Sequence, residues 1–537
     1  MKNWRANLIF GCFILFAAIL IGRLAYVQIA HGDYYKAWAQ GLHNVNSEYQ
    51  APRGEIFLKN DESLAINKNF PYVFVSPLKI EDFEKTAETL SGILNLDKEL
   101  IIETIQQDNL FVPLKDKLTG EEVNNIEKVN LPGVYLNEER GRYYPKEDLA
   151  SQVVGFLSAE GEGQYGLEEY YDSTLRAGEM GTDLVLTIDY NIQFESEKLL
   201  KAAKENLKIE SGQIIVMEPS TGKIVALASF PSFDPNQYEE YAEKGYLDIF
   251  QNAATQKFFE PGSVFKPVTM AAALNEEKIT PQTTYIDEGI LKIDGWPIRN
   301  YDNRTYGEMT MTGVLEKSIN TGAVFAQRQV GGETFLEYLD KLGIFSLTGI
   351  DLPESYSDNK EVKNGRDINF ATASFGQGIM MTPIQLIKAY CALVNGGTLV
   401  KPYLVEKTTN SEKTTIIQPQ LSEPIFSQKT SSQLAAMLIS VVENGYAKSA
   451  RIPGYYVAGK TGTAQVPFAS IGIDKSGYSD KTWQSFMGFA PAFNPRFIIL
   501  VKLDNPDTKT AEYSAVPIFH DLAKYIIDYW QIPPDYQ

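Results

Sequence analysis

The 537-residue sequence contains few of the side chains that most often bind metals or activate nucleophiles. It has three histidines, His31, His43 and His520, and two cysteines, Cys12 and Cys391. Cys12 lies in an apolar run, so the cysteines predict neither a disulfide nor a cysteine-ligated metal site. The histidines are scattered and no H-E-x-x-H motif is present, which argues against a zinc hydrolase.

Basic residues are also in deficit. The chain has 49 Lys and Arg against 68 Asp and Glu, which gives a formal net charge of −19. Proteins that follow a phosphate backbone carry basic stripes, so this balance argues against a nucleic-acid partner. The hydrophobic fraction of 44% and the charged fraction of 22% are typical of a folded globular protein. The length exceeds that of one ordinary domain.

Only the N-terminus contains an apolar run long enough to suggest a membrane span. Lys2 and Arg5 precede an apolar run at residues 8–22, and Arg23 follows it. The run approaches the roughly 20 residues that a bilayer requires, and Arg23 can extend its charge to the interface. Positive residues ahead of the run predict a cytoplasmic N-terminus and an extracytoplasmic chain after it. We expect a single-pass anchor over residues 1–29; a cleaved signal peptide is the alternative.

The remaining chain divides into two predicted regions. Residues 30–180 have short mixed segments and no catalytic signature, whereas residues 181–537 have a clear alternation of strand and helix patterns. Strands at both ends with helices between them predict an α+β domain, an antiparallel sheet flanked by a helical cluster. The predicted strands are 184–189, 212–217, 223–228, 455–458, 484–489 and 497–502, and the predicted helices are 191–207, 264–275, 309–330 and 382–393.

A serine and a lysine stand three residues apart in the stretch E-P-G-S-V-F-K-P at residues 260–267. Ser263 begins an apolar helical run, and residues i and i+3 share a helix face, so the Lys266 amine can reach the Ser263 oxygen. A serine needs a base to become a nucleophile, and in a histidine-poor chain Lys266 is the candidate. Other Ser-x-x-Lys matches precede a proline or lie in turns and polar loops, at Ser76, Ser220 and Ser357.

Two further motifs follow in order. Ser318 and Asn320 form a Ser-x-Asn motif inside the predicted helix 309–330. A Lys-Thr-Gly motif with a following threonine stands at the end of the predicted strand 455–458. Each motif alone is explained as well by a helix cap or a solvated strand end, but the ordered triplet is a signature of penicillin-binding proteins and class A β-lactamases. The residues of the third motif are Lys460, Thr461, Gly462 and Thr463.

The chain resembles class B penicillin-binding proteins, the monofunctional peptidoglycan D,D-transpeptidases, and most closely their division-type branch. Besides the triplet, F-G-Q-G at residues 375–378 and T-P at residues 382–383 are similar to the family. R-G-E-I at residues 53–56 and G-L-E at residues 166–168 resemble motifs of its N-terminal pedestal. L-K-N-D at residues 58–61 departs from the usual D-R-N-G. The resemblance implies a pedestal (dimerisation-type) domain at residues 30–180 and a transpeptidase domain of the penicillin-binding fold at residues 181–537.

The resemblance also implies a mechanism. Ser263 would form an acyl-enzyme with a peptidoglycan stem peptide, and β-lactams would acylate it as mimics of the D-Ala–D-Ala end. Lys266 would act as the base, and burial together with the nearby Lys460 cation would lower its pKa. Ser318 would relay a proton to the leaving D-alanine, and Asn320 would orient Lys266 and bind the substrate amide.

The third motif would bind the terminal carboxylate of the substrate. Lys460, Thr461 and Thr463 would do so by charge and by hydroxyl contacts, with Gly462 in the same strand. Backbone N–H groups of Ser263 and Thr463 would form an oxyanion hole. The reaction would need no metal or organic cofactor.

Family membership further implies partners for the chain. The expected partners are a multi-span glycan polymerase and other division or elongation proteins, contacted through the anchor and the pedestal. An elongation-type transpeptidase is the alternative within the family. A β-lactamase and a non-catalytic β-lactam sensor or scaffold would also fit the three motifs, and the long N-terminal region with its anchor favours the synthase over both.

Overall fold

The computed structural model describes residues 4–26, 53–107, 109–178 and 181–536. Near the N-terminus, the helix Trp4–Ala25 includes an 18-residue segment, Leu8–Ala25, with a mean hydropathy of 2.5 and exposed side chains. Its length and apolar character fit a single membrane span. The predicted boundaries at residues 29/30 and 180/181 involve residues outside the described part, so these boundaries stay predictions.

The described chain forms two compact units. The smaller unit includes Asn67–Tyr143. The start of one of its helices shows how local sequence determines where a helix begins. Thr119 and Glu122 form a reciprocal capping box, which satisfies free N–H groups at the start of Gly120–Val129. The other elements of this unit are the helices Phe83–Leu94 and Lys98–Ile105, the strands Val112–Lys115 and Val134–Tyr143, and the end of the strand Ser63–Val75.

The larger unit, Arg53–Ile66 with Tyr144–Gln537, contains a five-stranded antiparallel sheet. Its strands are buried along most of their length, as expected for a sheet covered on both faces. This core sheet confirms the predicted α+β class. Its strands, in spatial order, are Ala458–Pro467, Tyr478–Ala490, Phe497–Asp504, Ser211–Met217 and Ile224–Phe230.

Helices pack against the core sheet and against one another. Pro383–Val394 is buried along its whole length, which agrees with its almost entirely apolar sequence, and a Thr382–Gln385 capping box begins it. The remaining helices of ten or more residues in this unit are Tyr190–Leu207, Lys266–Asn275, Asn320–Val330, Gly332–Lys341, Gln428–Asn444 and Ala515–Tyr529.

Short strands complete the larger unit. A second sheet joins Ile56–Phe57 and the beginning of Ser63–Val75 to three further strands, and its Ile56–Phe57 and Asp183–Leu186 strands run parallel. Within the larger unit, the other strands of this sheet are Val405–Thr409 and Thr414–Ile416. The two-stranded pairs are Phe156–Leu157 with Gly163–Gln164, Thr284–Asp287 with Gly307–Thr310, Ile290–Ile293 with Trp296–Arg299, and Thr398–Val400 with Leu421–Pro424.

A buried ionic cluster fixes the beginning of the larger unit. The Arg53 guanidinium donates to Glu168 Oε2 at 2.7 Å, to the Glu168 backbone oxygen at 2.8 Å and to Asp172 Oδ1 at 2.7 Å. Arg53 is 7% exposed and Glu168 is fully buried. The partners are more than a hundred residues apart in sequence, so the cluster ties residue 53 to the segment around residue 170.

The structure corrects two sequence predictions of secondary structure and adds a helix that was not predicted. The predicted helix 309–330 is two helices, Met311–Glu316 and Asn320–Val330, separated at Ser318, whose φ is +55°. The Lys-Thr-Gly motif lies inside the strand Ala458–Pro467 and not after it, because Gly459 and Gly462 weaken the strand signal in the sequence. The C-terminal helix Ala515–Tyr529 was not predicted.

Candidate active site

Ser263 lies on a one-turn 3-10 helix, Gly262–Phe265, immediately before the helix Lys266–Asn275. We call Gly262–Phe265 the Ser263 turn. Gly262 has φ +60°, and its N–H donates to the Gly376 backbone oxygen at 2.9 Å. Gly376 has φ +79°, and a Cβ at this position would lie 2.2 Å from the Gly262 oxygen. Two glycines are therefore required where the Ser263 turn meets residue 376.

Lys266 is fully buried and contacts both motif serines. Its Nζ lies 3.0 Å from Ser263 Oγ, 2.5 Å from the Ser318 backbone oxygen and 3.2 Å from Ser318 Oγ. Burial lowers the pKa of the Lys266 amine well below its ordinary value, and the neighbouring Lys460 amine lowers it further. In its uncharged form, the amine can accept a proton from the Ser263 hydroxyl.

Lys460 is the second buried amine of the site. It is 1% exposed, and its Nζ donates to Ser318 Oγ at 3.0 Å, to the Thr461 backbone oxygen at 3.0 Å and to Thr461 Oγ1 at 3.3 Å. Burial lowers the pKa of Lys460 to about 7. Ser318 Oγ thus lies between two amines, and a hydroxyl in that position can pass a proton from one to the other.

Ser318 reaches both lysines because the chain changes direction at this residue. Its left-handed φ of +55° ends the helix Met311–Glu316, and the extended Ile319 leads into the helix Asn320–Val330. A non-glycine residue in this conformation is uncommon and carries a local conformational strain. This conformation places both the Ser318 backbone oxygen and the Ser318 hydroxyl within hydrogen-bond distance of Lys266 Nζ.

Asn320 lies next to this cluster but bonds elsewhere. Its side-chain Nδ2 donates to the Arg299 backbone oxygen at 2.9 Å. Among the hydrogen bonds of the described residues, none joins Asn320 to Lys266. The Ser318 backbone oxygen, not the Asn320 amide, is the close acceptor for the Lys266 amine.

The Lys-Thr-Gly strand passes against the Ser263 turn. A Cβ at Gly462 would lie 2.8 Å from the Pro261 backbone oxygen and 2.5 Å from Ser485 Oγ, so the strand can approach only with glycine here. Thr463 is half-buried, and its Oγ1 accepts the Ala511 N–H at 3.2 Å. Of the predicted residues, the structure clusters Ser263, Lys266, Ser318, Lys460 and Thr461, and it brings Gly462 to the edge of the Ser263 turn.

The structure adds a buried carboxylate that the motifs did not indicate. Glu260 is 5% exposed, and the Tyr478 hydroxyl donates to its carboxylate at 3.1 and 3.3 Å. Burial raises the pKa of Glu260 to about 7, while hydrogen bonds from Tyr478 and from the Gly378 N–H oppose the shift. Tyr478 is 218 residues from Glu260, so local sequence contained no signal for this pair.

A serine hydroxyl beside a buried amine with a lowered pKa, close to the start of a helix, defines a class of site. Such a site can generate a serine nucleophile without histidine and stabilise negative charge as it develops. Together with the antiparallel sheet and its helices, it indicates a serine-type enzyme in which a buried lysine lies beside the serine.

The family follows from comparison with known proteins. The model of the penicillin binding protein transpeptidase domain matches residues 212–524, and that of the penicillin-binding protein dimerisation domain matches residues 48–198. The chain belongs to the penicillin-binding protein transpeptidase family. The resemblance inferred from the sequence motifs is thereby confirmed.

Individual relatives agree with this assignment. The chain is 32% identical to stage V sporulation protein D of Bacillus subtilis, over 93% of this chain and 81% of the relative. It is 26% identical to the peptidoglycan D,D-transpeptidase FtsI of Escherichia coli, over 99% of this chain and 93% of the relative. The crystal structure of penicillin binding protein 3 from Mycobacterium tuberculosis complexed with aztreonam has a TM-score of 0.71 and 27% identity, covering 90% and 97% of the two chains.

Proposed function

We propose that this enzyme is a peptidoglycan D,D-transpeptidase that cross-links stem peptides through an acyl-enzyme at Ser263. The observation that carries the proposal is the buried amine of Lys266, 3.0 Å from Ser263 Oγ. The names of its relatives, among them the D,D-transpeptidase FtsI of Escherichia coli, supply the reaction class.

In the proposed acylation, Ser263 Oγ attacks the carbonyl carbon of the D-Ala–D-Ala bond as its proton passes to neutral Lys266. Negative charge develops on the carbonyl oxygen, where backbone N–H groups of Ser263 and Thr463 would donate. Loss of one such donor typically costs about 2.7–4 kcal/mol of transition-state stabilisation. The intermediate collapses when the C–N bond breaks and an acyl ester remains on Ser263.

The leaving D-alanine needs a proton on its nitrogen. Ser318 Oγ, 3.2 Å from Lys266 Nζ, can donate this proton and recover one from Lys266. Lys460, Thr461 and Thr463 would bind the terminal carboxylate of the leaving residue, which favours the charged form of Lys460 while substrate is bound.

The second half-reaction transfers the acyl group to an amine of a neighbouring stem peptide. Its nitrogen attacks the ester, an amide forms, and the amine proton returns to Ser263 Oγ through Lys266. In this scheme Asn320 binds the substrate amide, and the Ser318 backbone oxygen is better placed to orient Lys266.

We propose that the protein crosses the cytoplasmic membrane once, with its N-terminus in the cytoplasm. Residues 1–29 form the anchor, residues 30–180 the pedestal and residues 181–537 the extracytoplasmic transpeptidase domain. Similarity to FtsI favours septal wall synthesis with a multi-span glycan polymerase as partner. Similarity to stage V sporulation protein D makes wall synthesis during sporulation a second candidate. A fluorescent fusion at septum, sidewall or forespore distinguishes these roles.

The assignment of Ser263 is tested with fluorescent penicillin. Ser263→Ala should abolish covalent labelling because the ester cannot form, whereas Ser220→Ala, which alters an exposed Ser-x-x-Lys serine in a turn, should label like the wild type. Persistent labelling of Ser263→Ala would show that another residue is acylated. Cross-linked product from a lipid-linked donor strand would separate an enzyme from a β-lactam-binding scaffold.

A further inference from the structure

The helix Asn320–Val330 begins without a capping residue of its own. The residue before it, Ile319, has an apolar side chain that accepts no hydrogen bond from the first turn. The first N–H groups of any helix lack intrahelical acceptors and must find partners elsewhere. At this helix the requirement matters for the site, because the first turn immediately follows Ser318.

Asn300 supplies the missing cap from a distant part of the chain. Its Oδ1 accepts the N–H of Asn320 at 3.0 Å and the N–H of Thr321 at 3.2 Å. Asn300 is 4% exposed, so these bonds do not compete with bulk water. Asn300 therefore caps the helix as an N-cap residue would, although it lies twenty residues before Asn320 in the sequence.

Asp287 in turn holds Asn300. The Asn300 amide Nδ2 donates to both carboxylate oxygens of Asp287, at 3.0 and 2.9 Å, and the Thr321 hydroxyl donates to Asp287 Oδ1 at 2.6 Å. Backbone N–H groups of Gly289 and Tyr306 also donate to this carboxylate. Asp287 is 1% exposed. Burial raises the pKa of Asp287, but the hydrogen bonds outweigh burial and lower it.

The segment around Asn300 also contacts the motif asparagine directly. Asn300 follows the hairpin of Ile290–Ile293 and Trp296–Arg299, whose last backbone oxygen accepts the Asn320 side-chain amide at 2.9 Å. The end of this hairpin therefore contacts the start of the helix through both the backbone and the side chain of Asn320. These contacts hold the residues that follow Ser318 in the chain. The Lys266 amine contacts Ser318 itself, through the Ser318 backbone oxygen.

We propose that Asn300, held by Asp287, is a positioning residue for acylation at Ser263. It fixes the start of the helix Asn320–Val330 and, through it, keeps Ser318 in contact with Lys266 and Lys460. The inference rests on the proposed function, since it concerns the acylation of that same serine. Displacing a catalytic group by about 1 Å can reduce a rate about a hundredfold, so a cap two residues from Ser318 has kinetic consequences.

The test compares Asn300→Ala with a matched asparagine in the full-length protein. Asn275 Oδ1 accepts the Ser427 N–H at 2.9 Å at the start of the helix Gln428–Asn444, and Asn275 Nδ2 donates to the Tyr338 hydroxyl. Asn275 thus also contacts the start of a helix that begins far away in sequence, although the Ser427 side chain caps that helix itself. It ends the helix Lys266–Asn275, about 14 Å along the axis from Lys266.

Acylation by fluorescent penicillin is measured over a range of concentrations, which separates the acylation rate constant from the non-covalent dissociation constant. Asn300→Ala should lower the rate constant about tenfold or more, and Asn275→Ala should change it less than about twofold. Melting temperatures of both variants measure the loss of stability. Equal melting temperatures with unequal rate constants separate positioning from general destabilisation.

A reciprocal exchange keeps the proposal testable if Asn300→Ala does not fold. Asn300→Asp places two carboxylates together in a buried position, and it should acylate as poorly as Asn300→Ala. Adding Asp287→Asn to Asn300→Asp restores one amide donor and one carboxylate acceptor to the pair, with their positions exchanged. The double variant should acylate at least about threefold faster than Asn300→Asp alone.

Two outcomes overturn the proposal. One is an Asn300→Ala protein that acylates at the wild-type rate, and the other is a double variant no faster than Asn300→Asp. Either result leaves the proposed function intact if the wild type is labelled at Ser263. A wild type without labelling at Ser263 would instead contradict the proposed function itself.

Discussion

At the scale of single residues, two buried lysines determine how the site can work. Removing an ammonium group from water costs several kcal/mol, and an amine that loses its proton avoids most of that penalty. Lys266 and Lys460 are 0% and 1% exposed, and burial lowers the pKa of both. The burial that is costly for the fold also favours the uncharged form of the Lys266 amine, which its proposed role as a base requires.

The pH dependence of acylation follows from this shift. Because the pKa of Lys266 lies well below 10.5, lowering the pH adds a proton to the proposed base and should slow acylation, whereas the rate constant should no longer rise near the ordinary lysine pKa of about 10.4. Acylation rate constants with fluorescent penicillin from about pH 5 to about pH 10, a range that reaches the ordinary pKa of lysine, measure the profile. A rate that continues to rise through about pH 10 would mean that Lys266 titrates like an ordinary lysine.

Lys388 offers a control for the pH profile. It is also a buried lysine, its Nζ donates to the Thr348 backbone oxygen at 3.2 Å, and burial lowers its pKa. Lys388→Met should leave the pH profile of acylation unchanged. A changed profile would show that the pH dependence reports buried lysines in general and not the base beside Ser263.

Residues that share a local element were predictable from the sequence, and residues joined by tertiary contacts were not. Ser263 and Lys266 meet because they are three positions apart on one turn, which spacing alone predicts. Glu260 and Tyr478 come together only in the folded chain. The same holds for Asp287 and Asn300. Their identity as partners depends on how the sheet, the hairpin and the helices pack, which a single sequence does not specify.

At the scale of elements, the Ser263 turn is held by neighbours that leave no space for side chains. Gly376 contacts Gly262, and Gly462 contacts the backbone just before the turn. Elements that approach this closely move together, because protein interiors are packed as densely as organic crystals. The position of Ser263 therefore depends on residues that carry no chemistry.

Gly376→Ala tests this dependence. The added Cβ would lie 2.2 Å from the Gly262 oxygen, and the residue would keep an unfavourable φ of +79°. We expect the acylation rate constant to fall about tenfold or more, because the Ser263 turn must shift. Gly245→Ala is the control, since Gly245 has φ +75° but open space around its Cβ position. Equal effects of the two substitutions would attribute the loss to backbone strain alone.

The elements also show which features of a sequence pattern predict structure. Four of the five core-sheet strands and the helix Pro383–Val394 were predicted because their apolar patterns have clear ends. The strand Ala458–Pro467 was expected to end at residue 458, because Gly459 and Gly462 weaken its signal. The break at Ser318 was missed, because apolar residues continue at helical spacing on both sides of it. The break between the two helices exists because the distant Asn300 caps the helix Asn320–Val330, and because Lys266 and Lys460 both bind Ser318. Neither cause is visible within residues 309–330.

At the scale of the whole molecule, the larger unit is discontinuous in sequence. It combines Arg53–Ile66 with Tyr144–Gln537, and the residues between these two segments, Asn67–Tyr143, belong to the smaller unit. Such a unit needs contacts that hold its first segment in place. The buried Arg53 cluster provides such contacts, and it brings together in space the R-G-E-I and G-L-E motifs, which are far apart in the chain.

Arg53→Met tests how much this cluster contributes to the larger unit. Breaking a buried ion pair by removing one partner typically costs about 3–5 kcal/mol, since Glu168 would stay buried without the guanidinium charge. Urea unfolding monitored by the capacity to bind fluorescent penicillin follows the larger unit alone, and its midpoint should fall. Without urea, the acylation rate constant should equal that of the wild type, because the cluster contains no residue of the site.

An exposed ion pair of the same unit serves as the control for Arg53→Met. Lys201 Nζ lies 2.7 Å from Asp148 Oδ2, with side chains 52% and 37% exposed, and such surface pairs contribute about 0–1 kcal/mol. Lys201→Met should therefore shift the urea midpoint far less than Arg53→Met. Equal shifts would mean that the first segment is held by its strand Ile56–Phe57, whose pairing is intact in both variants. The burial of Arg53 would then follow from that pairing and contribute little to holding the unit together.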